Sequence, residues 1–472
     1  MSALPPPLPR DRDDVPGRLN AQLQEDTLVA AMSEMVDRYS RNFPQHRASA
    51  GAHTHPTPKA KLGGDVVLLT GATGALGSTL LAQLVSNTDV SRVFVLNRRS
   101  PTGVPLVRRQ MDAMAEAGFE ASKLVRSPKV VLLETDLPDD RLGLSDEVYE
   151  EIRTSVTHIF HNAYLVNFNV PLSGFEPNVR TLRHLIDLAL ASPHPTPPRL
   201  LFVSTGDVWS KKPDLDGPVP EVLTPAKYAT RGGYGQSKWV CEHVMANAAK
   251  TTPLRPIIVR VGQISGGRNG AWNAHEWFPA MIRSSTYLGC LPILEQDIRW
   301  IPVDTVSQAM IEMRDSPFTV HQLEHPRPVH WNAVMHPIAR TLHLPLVPYA
   351  EWLGRLERSG RSLKTQARSK HSNEHGESDE QSENLNESEE ETKRKNPAWT
   401  LVAFFRGIRP HRSQTPWRTA VGQTVFGMEH ALSQAPCLRE ERLARLGGED
   451  AVKWLEFWRR VGVLDWGVRA SL

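Results

Sequence analysis

At 472 residues, with 40% hydrophobic and 23% charged residues and a net charge of +3, the chain has the composition of a globular protein of two or three domains, and the small charge gives no argument for nucleic acid. No apolar run approaches the ~20 residues of a membrane-spanning helix, and the start, MSALPPPLPRDRDD, has no apolar signal core. Cys241, Cys290 and Cys437 lie far apart and make neither a metal-ligand spacing nor an even disulfide set, so a soluble, cytoplasmic protein is expected.

Residues 1–20 are proline-rich and charged and read as disordered. Gln24 to Tyr39 fits one amphipathic helix with Leu28, Met32, Met35 and Val36 on one face, and residues 44–60 read as a linker. The chain is then organised around Gly64 to Gly77, GDVVLLTGATGALG. The apolar run Val66-Val67-Leu68-Leu69 reads as a strand buried on both faces, and a helical pattern through Leu80, Leu81 and Leu84 follows the glycines. Strand, glycine turn and helix make the first βα turn of a dinucleotide-binding fold. Gly71 permits the turn, Gly74 lets a pyrophosphate approach the helix N-terminus, and Gly77 lets the helix pack close on the strand. Gly71, Thr73, Gly74, Ala75, Leu76 and Gly77 are the candidate contacts. The spacing is GxxGxxG, and a tight turn without a ligand is the plainer alternative; the flanking elements and the pieces downstream favour the ligand.

Val93 to Leu96 reads as the second strand, ending in Asn97-Arg98-Arg99, twenty residues past Gly77. An NAD-specific fold places an acid on the ribose 2′-hydroxyl here. Two arginines stand there instead, and their planar forks suit a 2′-phosphate, so NADP(H) is expected; a solvated basic strand end is the alternative. A helix from Leu106 toward Ala121 carries Arg108 and Arg109 near its start, and Arg108 joins Asn97, Arg98 and Arg99 in the cofactor set. Further strands are read at Val130–Leu133, Thr157–Ala163 and Leu200–Val203, with a helix from Asn178 to Leu190 before the last. Strands alternating with helices on short loops indicate a parallel, doubly wound sheet, whose ligands bind at the carboxyl ends of the strands. Asp136 and Leu137, Asn162 and Ala163, and Ser204 and Thr205 fall at such ends.

Gly233-Tyr234-Gly235-Gln236-Ser237-Lys238 opens a helix that puts Tyr234 and Lys238, four apart, on one face. A surface Tyr–Lys pair is the bland reading of YxxxK; its place after a glycine turn and four more strands makes it a reductase site. Carbonyl reduction needs a hydride on carbon and a proton on oxygen. Tyr234 is the candidate acid, and a nearby Lys238 ammonium would lower its pKa from ~10 toward the working range and hold the nicotinamide ribose. Thr205, with Ser204 as competitor, would donate to the same carbonyl oxygen.

TGATGALG, THIFHNA, VST and YGQSK resemble the extended short-chain dehydrogenase/reductase superfamily. Asn167-Phe168 in HNAYLVNFNVPL, FEPNVRTLRHLIDLA, RVGQISG, EWFPAMIRSS, LGCLP and RWIPVD resemble, more narrowly, the thioester reductase domain of fungal nonribosomal peptide synthetase-like enzymes and aminoadipate-type reductases. The likeness is clear over about residues 20–330 and looser beyond. It implies an α/β fold, a Rossmann-like doubly wound sheet with a smaller, mostly helical C-terminal substrate lobe. It also implies NADPH reduction of an acyl thioester, held on a carrier protein's phosphopantetheine arm, to an aldehyde or on to the alcohol, in secondary metabolism. The chain carries no recognisable adenylation or carrier segment ahead of the reductase, so either a free-standing reductase acting in trans or an excised domain is expected. The helix bearing Leu28, Met32 and Val36 is then the expected carrier dock, and a monomer is expected. Rival readings are a reductase of free aldehydes, ketones or acyl-CoA, or a non-catalytic NADP-binding module.

After Gly266 the alternation fades. Trp272, Trp277, Phe278, Trp300 and Trp331 suit a substrate lobe, Asp304 reads as a helix N-cap, and His275 and Glu276 are weaker channel candidates. Residues 359–397, with basic ends and an acidic middle almost free of apolar side chains, read as a disordered insertion. Asp450 to Val461 sets Ala451, Trp454, Leu455, Trp458 and Val461 on one stripe. The expected division is 1–60 for the N-terminal segment, 61–265 for the NADP-binding domain, and 266–358 with 398–472 for the substrate lobe.

Overall fold

In the computed structural model, residues 15–48, 63–213, 217–359, 394–408 and 417–464 are described. The expected disordered start, most of the linker and most of the acidic insertion lie outside these residues. The insertion's edges do not. Asn396 is fully buried and its Nδ2 donates to Ser359 Oγ at 2.8 Å, so ordered chain resumes before Pro397.

The apolar run after Gly64 forms β1 (Asp65–Thr70), an inner strand of a seven-stranded sheet. The others are β2 (Val90–Arg98), β3 (Val130–Thr135), β4 (His158–His161), β5 (Arg199–Thr205), β6 (Ile257–Val261) and β7 (Val320–Leu323). Their order is β7-β6-β5-β4-β1-β2-β3, and every pairing is parallel. Order reverses at β1, with β2 on one side and β4 on the other, which opens a crevice at their carboxyl ends. The flanking helices include α1 (Val15–Tyr39), α2 (Ala75–Ser86), α3 (Leu106–Glu116), α4 (Asp146–Ser155), α5 (Glu176–Leu190) and α6 (Gly233–Thr251). Val67, Leu68, Leu69, Phe94, Val95, Phe160 and Phe202 are buried between these layers, as strands covered on both faces require.

The second half does not divide at Gly266. Residues 266–302 leave the sheet, but α8 (Val303–Glu312) packs on α2 and β7 completes the sheet. Val306, Met310, Leu323, Phe426 and Met428 share the first core. A second core gathers α7 (Trp277–Leu288), α9 (Trp331–Leu342) and α10 (Gly448–Arg460) around Trp272, Phe278, Trp300, Trp331, Trp454 and Trp458. Trp272 meets Trp300 and Trp454 edge-on at 5.4 and 4.9 Å, so these tryptophans are packing groups of the lobe. Val461 falls past the end of α10 and is 48% exposed, outside the expected stripe. Asp304 is not the N-cap of α8, which is Pro302; its carboxylate accepts from the Arg268 backbone N–H and Nε at 2.8 and 3.1 Å.

The N-terminal helix also differs from expectation. Met32, Met35 and Val36 are buried in the first core, because α1 lies along α6 and touches α5. Arg183 of α5 donates to the carbonyls of Tyr39, at the end of α1, and of Arg41 and Asn42 just beyond it. Met32, Met35 and Val36 make an internal contact, so that part of the face is closed to a carrier, while Leu28 is only half-buried. Among the described residues no helix is long and apolar enough to cross a membrane.

Candidate active site

The glycine turn sits at the carboxyl end of β1, and its three glycines answer to different constraints. Gly71 has φ +74°, and an added Cβ would lie 2.8 Å from the Ala163 backbone. At Gly77 a Cβ would come within 2.1 Å of the Gly71 carbonyl oxygen. Gly74 has φ −90° and ψ 168°, open to any residue, and its nearest neighbour to an added Cβ is 3.7 Å away. Neither backbone nor packing demands glycine there, so a group approaching from outside is what its bareness accommodates. Gly74 and Ala75 are exposed and no side chain caps α2, which leaves its N-terminal N–H groups for an anion. These residues fit a dinucleotide pyrophosphate.

The turn is pinned from two sides. Asn162 Nδ2 donates to Gly71 O at 3.1 Å, while the Asn162 and Ala163 N–H groups donate to Thr70 Oγ1 at 3.1 and 3.0 Å. That leaves the Thr70 proton for His161 Nδ1 at 2.9 Å. Burial, reinforced by Lys238, pushes the His161 imidazole down to about 3, so it is neutral. On the other side, Gln110 Nε2 donates to Ala72 O at 2.9 Å, and Gln110 meets Asn97 Nδ2 at 3.5 Å. Gln110 is fully buried and was missed by sequence reasoning; a polar residue on the apolar face of α3 is the signal that marks it.

Arg98 and Arg99 are exposed at the end of β2, and neither side chain has an ion-pair partner among the described residues. Arg109, outside the expected cofactor set, donates to Arg98 O and Glu134 Oε1 at 3.1 and 2.6 Å and so shapes that strand end. Arg108 pairs with Asp112 on the exposed face of α3 at 3.0 Å. Asp136 is exposed and Leu137 half-buried beyond β3. Thr73 and Leu76 flank Gly74 and Ala75 in the turn.

Across the crevice, the ends of β4 and β5 face the start of α6. Gly233 packs so close to the chain at Val170 that an added Cβ would be 2.2 Å from its carbonyl oxygen. Thr205 Oγ1 accepts from the Asp207 N–H at 3.2 Å, and Thr205 stands near enough to the Tyr234 phenol to oppose the rise in its pKa. Ser204 turns inward: its hydroxyl donates to Glu242 Oε1 at 2.6 Å, and Glu242 holds Arg260 through Nε and Nη2 at 2.9 and 2.6 Å, all fully or nearly fully buried. The competitor for Thr205 is therefore a structural hydroxyl. Lys238 Nζ donates to Val203 O at 2.7 Å and lies 3.4 Å from the centre of the Tyr164 ring. Tyr164, two residues past Asn162 and unnoticed in the sequence, donates to Ser237 Oγ at 2.9 Å.

The electrostatics depart from expectation. Burial and the neighbouring Asp207 carboxylate push the Tyr234 phenol above its ordinary pKa, with the Thr205 hydrogen bond opposing. Lys238 does not reverse this: its Nζ is 5.7 Å from the Tyr234 ring centre, and burial pushes its own pKa down to about 7. Glu276 is not free to line a channel, since Trp272 Nε1 and Gln263 Nε2 donate to its Oε2 at 3.0 and 3.1 Å; His275 is exposed.

Residues 69–310 match the male sterility protein family of NAD-binding domains. The chain is 40% identical over 433 residues to adenylate-forming reductase Nps10 of Heterobasidion annosum, covering 91% of this chain and 37% of that protein. It superimposes on the terminal reductase domain of the myxalamid polyketide–nonribosomal peptide pathway with a TM-score of 0.68 at 22% identity, covering 92% of this chain and 99% of that one. The fold is shared too with an archaeal thiolation–reductase di-domain, at a TM-score of 0.62 and 14% identity over 92% of this chain and 80% of that one. The chain spans 35 to 39% of the length of its first curated relatives.

Proposed function

The chain belongs to the male sterility protein family, as a thioester reductase domain of the extended short-chain dehydrogenase/reductase superfamily, and on that premise we propose that it reduces an acyl thioester to an aldehyde at the expense of NADPH. The acyl group would arrive on the phosphopantetheine arm of a carrier protein. The observation that carries this reading is the meeting of Thr205, Tyr234 and Lys238 beside the bare Gly74 turn.

Bound in this crevice, a nicotinamide dinucleotide supplies hydride to the carbonyl carbon. Gly74, Ala75 and Leu76 would hold its pyrophosphate, with Asn162 and Ala163 at the neighbouring strand end and Asp136 and Leu137 beyond β3. Arg98 and Arg99, without an ion-pair partner among the described residues, would meet a 2′-phosphate, with Arg108 at the rim. Tyr234 gives its proton to the carbonyl oxygen, and Thr205 donates a hydrogen bond to the same oxygen as charge develops. A phenol held above its ordinary pKa stays protonated until the oxygen becomes basic, which suits an acid that must not ionise early. The resulting hemithioacetal loses the thiol to leave the aldehyde. Lys238, close to neutral pH in its titration, can replace the proton that Tyr234 gives up.

The carrier as partner draws support from the adenylate-forming reductase relative and from the thiolation–reductase di-domain that shares the fold. Tyr234→Phe keeps the ring but removes the acid. Turnover of an acyl thioester should fall by ~10²–10⁴ with NADPH affinity nearly intact; near wild-type turnover under chemistry-limited conditions would contradict the assignment.

A further inference from the structure

Between Asn162 and Phe175 the chain runs NAYLVNFNVPLSGF, with no charged residue. It leaves the carboxyl end of β4 and is pressed onto the start of α6 at Gly233. Three of its large apolar side chains face solvent: Leu165, Val166 and Phe168 are 44, 65 and 67% exposed. Such residues grouped on one short segment mark a contact surface more often than chance exposure does. Their position says what the contact is. The Phe168 ring meets Tyr234 edge-on at 5.2 Å between centroids, while Tyr164 and Phe175 pack at 6.1 and 6.2 Å on its other sides. A carbonyl that accepts a proton from Tyr234 is therefore bound beside a ring that Phe168 packs against.

We propose that Leu165, Val166 and Phe168 form the apolar seat of the substrate's acyl group, and that the enzyme selects uncharged, apolar acyl chains through Phe168. The inference rests on the thioester reductase reading above. The acyl group is the occupant because the neutral segment offers side-chain apolar area, which suits a hydrocarbon chain better than the amide-rich arm that all carriers share.

The test measures kcat/KM for a series of N-acetylcysteamine thioesters from butanoyl to decanoyl, and for decanoyl-CoA, with NADPH, in the wild-type chain, Phe168→Ala and Phe168→Leu. In the wild type, kcat/KM should rise about two- to fourfold per added methylene, the upper figure being full burial. In Phe168→Ala the loss should grow with chain length, from about twofold at butanoyl to tenfold or more at decanoyl, equally on either arm. Phe168→Leu should recover much of the slope, and the NADPH Kd should not move. A loss of equal size at every chain length, a loss that follows the arm instead of the acyl group, or no loss at all would each overturn the assignment of Phe168. If the wild type reduces no thioester of the series, the function itself fails, and this inference with it.

Discussion

An alanine at Gly77 would drive its Cβ to 2.1 Å from the Gly71 carbonyl oxygen, whereas at Gly74 it would meet nothing nearer than 3.7 Å. Gly77→Ala should therefore lower the melting temperature and abolish cofactor binding together. Gly74→Ala should keep or slightly raise the melting temperature, since the backbone there suits alanine. Its NADPH Kd should rise ~10–100-fold, the scale of an overpacked methyl; a calorimetric titration beside a thermal melt checks both. Arg98→Asp should weaken NADPH by ~1.5–3 kcal/mol, the scale of a charged hydrogen bond, and NADH far less. Equal loss of both would remove the 2′-phosphate assignment. Lys238 gives a pH test. Its folded pKa, about 7, lies below the unfolded value of 10.5, so between those limits the unfolded chain binds more protons. The destabilisation is full below pH ~7 and fades as pH rises toward ~10.5. Lys238→Met should lose turnover yet melt higher than wild type at pH 6, with an advantage that narrows by pH 9. Tyr234, Lys238 and Thr205 were legible as a local motif and a strand end. Tyr164, Gln110 and Asp207 were not, because each acts across space on a group far away in sequence.

Helix α1 was legible as an amphipathic segment, and its stripe of Met32, Met35 and Val36 is the face that the structure buries. What the stripe covers was not legible, since periodicity tells that a face is buried and not against what. Here the cover is α6, which carries Tyr234 and Lys238. A chain starting at Lys59 should therefore lose stability and turnover with carrier-bound, CoA-bound and N-acetylcysteamine thioesters alike. Selective loss of carrier activity, with the melting temperature kept, would instead restore α1 as the docking element. The strands β1 to β5 were legible as short apolar runs bounded by turn residues, although β3, at the sheet edge, is only half-buried. Strand β7 escaped: its centre, His321-Gln322, is polar, and Gln322 is kept in the core by Nε2 bonds to the carbonyls of Val219 and Gly427 at 2.8 and 2.9 Å.

At the scale of the whole molecule, the two cores interleave in sequence, because β7 and α8 return to the sheet after the chain has left it. Long-range returns of this kind leave no trace in local pattern, which is why a boundary at Gly266 looked natural. The acidic stretch gives a cleaner expectation. Ser359 and Asn396 are hydrogen-bonded neighbours, and the Ala398 N–H donates to Ser284 Oγ at 2.8 Å. Replacing residues 360–393 by a short Gly/Ser linker should preserve melting temperature and turnover, while a cut that also takes Asn396 should lower both. The central claim, thioester reduction at the Thr205–Tyr234–Lys238 site, is tested most directly by offering one acyl group in four forms: on a carrier protein, on CoA, as the free acid and as the methyl ketone. Each is incubated with NADPH and its products are identified by mass. A carboxylate is a very poor hydride acceptor, and the proposed reaction includes no step that activates one. The account predicts aldehyde from both thioesters, with the carrier at or above CoA, and none from the free acid. Turnover of the free acid without ATP, or of the ketone faster than either thioester, would contradict it.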